Sequence, residues 1–170
     1  MLKGTIRDFN AVVGGTLIQR LREVVAGVAA AYGVEYSIEE SDSYPSIINA
    51  EEPTALVTSI CTAHLGAERV LGALAPMSGA EDFSYFAQKA PGCFVFLGGG
   101  DESTAGCPIA HQGGYNYNDK VTGIAMALWV KVVEARFGVS FCGVDAPSLF
   151  PALPPVSASA LDAFVRATRD

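Results

Sequence analysis

Two histidines, His64 and His111, are all that the 170 residues contain, and they limit the metal chemistry this chain could support. A catalytic zinc takes three protein ligands and keeps one position open for water or substrate. His64 follows Cys61 by three residues in a stretch of helical periodicity, so both could face one side and grip an ion. On an apolar helix face, a packed cysteine beside a hydrogen-bonded histidine is the stronger reading, and neither is assigned as a ligand. His111 sits differently. It lies in a long glycine-rich stretch after the apolar run Cys93 to Leu97 and is followed by Gly113-Gly114, Tyr115 and the run Asn116 to Asp119. Loops that follow buried strands are where α/β proteins keep their sites. Spacing alone leaves His111 open between a solvent-facing loop histidine and a ligand. Cys107 precedes it by four residues, but Pro108 breaks any helical pairing, and Cys107 is not assigned.

Carboxylates and one arginine are the other candidates. Ser78 precedes Glu81 by three residues, the spacing of a capping box that opens the next helix. That reading accounts for both polar groups. The alternative makes Glu81 or Asp82 an acid, a base or a partner to a metal ligand. Arg7 interrupts an apolar alternation, where a charged side chain usually points to water, although its fork could hold a substrate carboxylate through two bonds. Gly98 to Gly100 has neither the spacing of a dinucleotide fingerprint nor the ending of a phosphate loop, so no nucleotide site is expected.

The elements that must position these groups alternate between strand and helix patterns. Leu2 to Phe9 alternates as a strand does, and Asn10 then offers a helix N-cap. Val13, Leu17, Leu21, Val24 and Val28 recur at helical spacing, and Gly33 stands where a left-handed C-cap belongs. The pair Gly14-Gly15 costs about 1 kcal/mol per glycine relative to alanine, which argues for a later helix start. Val34 to Glu39 has the pattern of a strand with one wet face. The polar stretch Ser41 to Pro53 suggests a crossing into a second module, with a boundary near Asn49. A second helix is expected with Pro53 at its first position, Leu56, Val57, Ile60, Cys61 and His64 on one face, and an end at Gly66. A third starts near Glu81 or Asp82 with Phe83, Phe86 and Ala87 inward, and Cys93 to Leu97 forms a buried strand. Gly98 to Asn118 holds six glycines and no periodicity, far longer than the usual connection and therefore a functional-loop candidate. A last helix runs from an Asn118 or Asp119 cap to about Phe137, with Val121, Ala125, Leu128 and Val132 as its core face. Beyond Gly138 the sequence is rich in Ala, Ser and Pro, with a short helical pattern over Ala158 to Arg166 that has no assigned role. The fold class is α/β.

Composition narrows the partners. Eleven basic against eighteen acidic residues gives a net charge of −7, which argues against nucleic acid or an anionic membrane as partner. The longest apolar run, Ile124 to Val130, is well short of the roughly 20 residues that span a bilayer. The four cysteines show no disulfide-like spacing and no signal peptide is evident, so a cytoplasmic location is expected.

Several motifs in order resemble a known family. Gly4-Thr5-Ile6-Arg7-Asp8-Phe9, Tyr44-Pro45 with Asn49, Gly79-Ala80-Glu81-Asp82-Phe83 and Phe94-Val95-Phe96-Leu97-Gly98 are similar to segments of the hippurate hydrolase and aminoacylase amidohydrolases, a group that includes plant auxin-conjugate amidohydrolases. Ala110-His111-Gln112-Gly113-Gly114-Tyr115-Asn116-Tyr117-Asn118-Asp119 resembles the group's final motif, Leu-His-Ser-Pro-x-Tyr-Asp-Phe-Asn-Asp. It departs from that motif at Ala110 and over Gln112 to Gly114.

The resemblance implies a catalytic α/β domain with two divalent ions, zinc or manganese, interrupted by a strand-helix-strand lid that dimerises. Residues 1–45 would be the second half of the lid, 46–138 the closing part of the metallopeptidase-like catalytic domain, and 139–170 a tail outside the pattern. It gives His111 the role of a metal ligand and puts Arg7 and Glu81 near the substrate or behind the ligands. The substrate would be a small N-acyl amino acid. The other metal ligands and the general base would precede Met1, so the chain alone is expected to be inactive and to need a separate N-terminal half. A non-catalytic, dimerising domain remains the alternative.

Overall fold

In a computed structural model, which describes residues 1–41, 44–72, 76–99 and 110–141, the first helix begins at its polar cap. Asn10 is extended, and its side-chain oxygen accepts from the N–H groups of Val12 and Val13, satisfying two of the donors a helix start leaves unpaired. Helix α1 therefore runs Ala11–Tyr32 and does not wait until after the glycine pair. Gly14 is buried against Asp8: a Cβ built there would lie 2.5 Å from the Asp8 carboxylate. Its missing side chain permits that approach, which offsets its poor helix propensity. Gly33 closes α1 in the left-handed conformation, φ 63°, with its N–H directed at the carbonyls of Ala29 and Ala30.

Helix α2 spans Glu51–Leu65 and is followed by a single 3-10 turn, Ala67–Arg69. Pro53 is its third residue and not its first. That position tolerates proline because the opening N–H groups have no partner inside the helix. Glu51 and Glu52 occupy the first turn and His64 the last, as the helix dipole favours. The expected α2 face holds: Ile60 is buried, and Leu56, Val57, Cys61 and His64 are half-buried. Helix α3, Phe83–Ala87, is one turn long, and helix α4, Lys120–Phe137, packs against α2. The buried stripe of α4 is Val121, Ile124 and Ala127, rotated slightly from the expected one, whose Ala125, Leu128 and Val132 are half-buried.

Among the described residues none of the three strand-patterned segments joins a β-ladder. A strand is held by the N–H and C=O groups of a neighbour, and these segments find no such neighbour among the described residues. Residues 92–94 obtain a substitute. Asn49 donates through Nδ2 to the Phe94 carbonyl at 2.9 Å and accepts the Phe94 N–H on Oδ1 at 2.8 Å. The Ala50 N–H donates to the Gly92 carbonyl at 2.9 Å. One amide side chain thus stands in for a strand edge and fixes this segment to the start of α2.

Two units divide the chain. One contains Met1–Ile48 and Pro76–Ala90, the other Asn49–Ala75 and Pro91–Asp170. In the first, Tyr44 and Tyr85 meet edge to face with centroids 5.9 Å apart, and Ser46 donates from Oγ to the Asp8 carbonyl at 2.9 Å. In the second, the α2–α4 contact carries the core. Cys107 and the helical pattern of Ala158 to Arg166 lie outside the described residues.

Candidate active site

His111 occupies a run of turns, and three local features set its position. Its φ is 73°, which makes it the one non-glycine with positive φ among the described residues. That conformation costs an L-residue about 1–2 kcal/mol. The Tyr115 N–H donates to the Gln112 carbonyl at 2.9 Å, closing the turn after it. Asn118 accepts the Lys120 N–H on Oδ1 at 3.1 Å, tying the end of the segment to the start of α4. The imidazole is exposed. Strained backbone persists where surroundings over-determine it, and such positions concentrate at ligand-binding sites.

Arg7 is exposed, on a segment whose position Asp8 fixes. The Asp8 carboxylate accepts the Asn10 N–H at 3.1 Å, and its carbonyl takes the Ser46 hydroxyl bond described above. Glu81 is half-buried, and its carboxylate turns back onto the chain to accept the Asp82 N–H at 3.1 Å. The capping box expected from Ser78 does not form, because α3 starts at Phe83, five residues on, where a Ser78 side chain cannot serve as its cap. The bond that holds this turn comes from Ser84, a fully buried residue whose Oγ donates to the Glu81 carbonyl at 2.7 Å. Phe86, expected to point inward, is exposed and stacks on Phe83 at 6.3 Å between centroids. Sequence reasoning missed the roles of Ser84 and Asn49. The signal for Ser84 was its spacing of three from Glu81, which suits a hydroxyl bonding back to a carbonyl.

The three candidates divide between the units, Arg7 and Glu81 in the first and His111 in the second. Among the described residues, no three of His, Cys, Asp and Glu gather in a way that could hold an ion. Burial, with Cys93 nearby, pushes the Cys61 thiol up from its ordinary value. Near the end of α4, Lys131 Nζ lies 2.6 Å from a Glu134 oxygen, with both side chains mostly buried. Glu134 is held below the usual carboxylate range by that bond first and by the Phe141 N–H second. His64 lies near enough to the same carboxylate to be the smallest of the influences that lower it.

Sequence comparison decides what His111 and its neighbours belong to. The model of peptidase family M20/M25/M40 matches residues 2–135. The chain belongs to this family. Among its M20-type relatives, thermostable carboxypeptidase 1 of Saccharolobus solfataricus is 35% identical over 107 residues, 62% of this chain and 26% of the relative. N-acetyl-L-cysteine deacetylase of Bacillus subtilis is 31% identical over 98 residues, 58% of this chain and 23% of the relative. IAA-amino acid hydrolase ILR1-like 2 of Arabidopsis thaliana is 34% identical over 122 residues, 69% of this chain and 27% of the relative. The chain thus spans about a quarter of the length of these relatives. No solved structure matches it. M20 enzymes are in general dependent on divalent metals. The described donors do not make up such a centre: His111 offers one nitrogen where three protein ligands are needed. No helix of the described residues is long and apolar enough to cross a membrane.

Proposed function

We propose that the chain is part of a metal-dependent amidohydrolase, using zinc or manganese, that hydrolyses the amide bond of small, hippurate-like N-acyl amino acids. The observation that carries this reading is the family match over residues 2–135, with a strained His111 inside it. Two relatives are named for N-acetyl-L-cysteine and for IAA-amino acid, which supports an acylated amino acid as substrate. In this reading the chain contributes contacts and not a complete centre. His111 supplies one ligand to the metal pair, Arg7 offers its fork to the substrate carboxylate, and Glu81 supports ligand or substrate through its half-buried carboxylate. The rest of the centre is supplied from outside the described residues, and the first unit dimerises as half of a lid, in the cytoplasm. The scarcity of described donors favours a second reading, a non-catalytic dimerising domain.

Purified chain assayed on hippurate with added manganese or zinc should show no turnover by itself. Robust turnover would overturn the reading that these 170 residues hold only part of the centre. In the assembly that retains metal, His111→Ala should reduce the zinc or manganese found by elemental analysis after desalting, and unchanged content would remove His111 from the ligand set. His111→Gly should lower metal content equally, yet leave thermal stability unchanged or raised by less than about 1 kcal/mol, since release of the left-handed strain is offset in part by the freedom glycine adds to the unfolded chain.

A further inference from the structure

The glycine-rich stretch that carries His111 is closed at its base. A Cβ built on Gly99 would lie 3.4 Å from the Tyr115 hydroxyl, so the phenol rests against the Gly99 backbone. Gly99 continues the segment 92–97. Tyr115 is the residue whose N–H closes the turn after His111, donating to the Gln112 carbonyl at 2.9 Å.

His111 is therefore placed by two attachments, both within the second unit. On its C-terminal side, Asn118 Oδ1 accepts the Lys120 N–H at 3.1 Å, which joins the turn to α4, and α4 packs on α2. On the other side, Tyr115 sits on Gly99, and the segment leading to Gly99 is tied to the start of α2. The Ala50 N–H donates to the Gly92 carbonyl at 2.9 Å, Asn49 Nδ2 donates to the Phe94 carbonyl at 2.9 Å, and the Phe94 N–H donates to Asn49 Oδ1 at 2.8 Å. These bonds stand in for a ladder, and most of them belong to one side chain. Both attachments thus refer to α2, and the second passes through Asn49. A ligand histidine depends on being held in one orientation, so the groups behind it matter nearly as much as the ligand.

We infer that Asn49 is a positioning residue for His111: its amide fixes the segment that leads to Gly99, and Gly99 seats Tyr115 and the turn before it. Resting on the reading of His111 as a metal ligand, this gives Asn49 a task far from its own place in the sequence.

Hydrogen exchange followed by NMR on the full chain reads the two ends of this path separately. Asn49→Ala should speed exchange of the Phe94 N–H and, by about tenfold, that of the Tyr115 N–H. The Ala127 N–H in the core of α4 should stay slow, reporting that α2 and α4 still pack. Asn49→Asp keeps the acceptor for the Phe94 N–H and should restore part of the protection at both positions. Tyr115→Leu removes the contact with Gly99, and it should free the N–H of residue 115 while Phe94 stays protected. A response at Phe94 without one at Tyr115 shows that Asn49 holds only its own segment and overturns the inference. Should Asn49→Ala also lose slow exchange at Ala127, Tyr115→Leu decides: a residue-115 N–H as protected as in the unmodified chain overturns it.

In the assembly that retains metal, Asn49→Ala should weaken zinc binding by about tenfold, the low end of the range for a group that orients a ligand. Zinc affinity unchanged in Asn49→Ala but reduced in His111→Ala overturns the positioning role. Affinity unchanged in both strikes the ligand role of His111, a failure of the proposed function that the exchange at Tyr115 distinguishes from a failure of the Asn49 path.

Discussion

Helices α1 and α4 both end on a left-handed glycine, Gly33 and Gly138, yet only α4 buries an apolar stripe. On α1, Leu17 and Leu21 remain 43% and 44% exposed, and the buried residues are Gly14 and Ala29. On α4, Ile124 is 2% exposed because α2 lies against it. The better-capped helix is the less buried one: Asn10 closes two N–H groups of α1, whereas Asp119 makes no side-chain cap on α4. Capping is local chemistry worth about 1 kcal/mol. Burial of one large aliphatic side chain contributes about 1.5–3 kcal/mol, and it needs a partner element.

The largest expected contrast is in the core. Ile124→Ala should destabilise the second unit by about 2–5 kcal/mol, read as a fall in the urea midpoint, whereas Leu21→Ala on the open α1 face should stay within about 0.5 kcal/mol. Comparable losses at both sites would show that α1 is covered to the same degree as α4. The capping contrast runs the other way and is smaller. Asn10→Ala should cost about 1 kcal/mol of helix stability, while Asp119→Ala leaves α4 unchanged because Asn118 supplies the bond to Lys120. Equal effects in thermal melts would sink the assignment of these caps.

The smallest effect separates the helix ends by pH. Glu134 is held below the usual carboxylate range by Lys131 and by the Phe141 N–H, so its contribution is present above the ordinary carboxylate pKa and lost as pH falls through its lowered folded value. Hydrogen exchange at Phe141 should accelerate over that acidic window, and Glu134→Gln should remove the pH dependence. The end of α1 has no carboxylate tether of this kind at Gly33, and exchange at Val34 should not show the same step.

Much of the helical structure was legible because its signals are local. The Asn10 cap, Gly33, Gly66 and the face of α2 follow from side-chain periodicity and end chemistry, while the face of α4 was placed only to within a small rotation. Starts went astray where a side chain reached beyond its neighbours: Asp8 against Gly14 let α1 begin early, and Ser84 took over the turn assigned to Ser78. The strand patterns are a different case, since alternation marks which face would be buried and says nothing of whether a partner strand is at hand.

For the candidate site, residue order was enough to connect His111, Arg7 and Glu81 to one family, whose match over residues 2–135 now stands on direct comparison. Tertiary structure added what order does not contain: the positive φ of His111, the Glu81 carboxylate turned back onto the Asp82 N–H, and the burial of Lys131 with Glu134. Sequence determined local propensity and motif identity because both depend on residues within a few turns of one another. Burial, backbone strain and the pairing of Asn49 with Phe94 were decided only in three dimensions, since each depends on residues that the chain brings together from a distance.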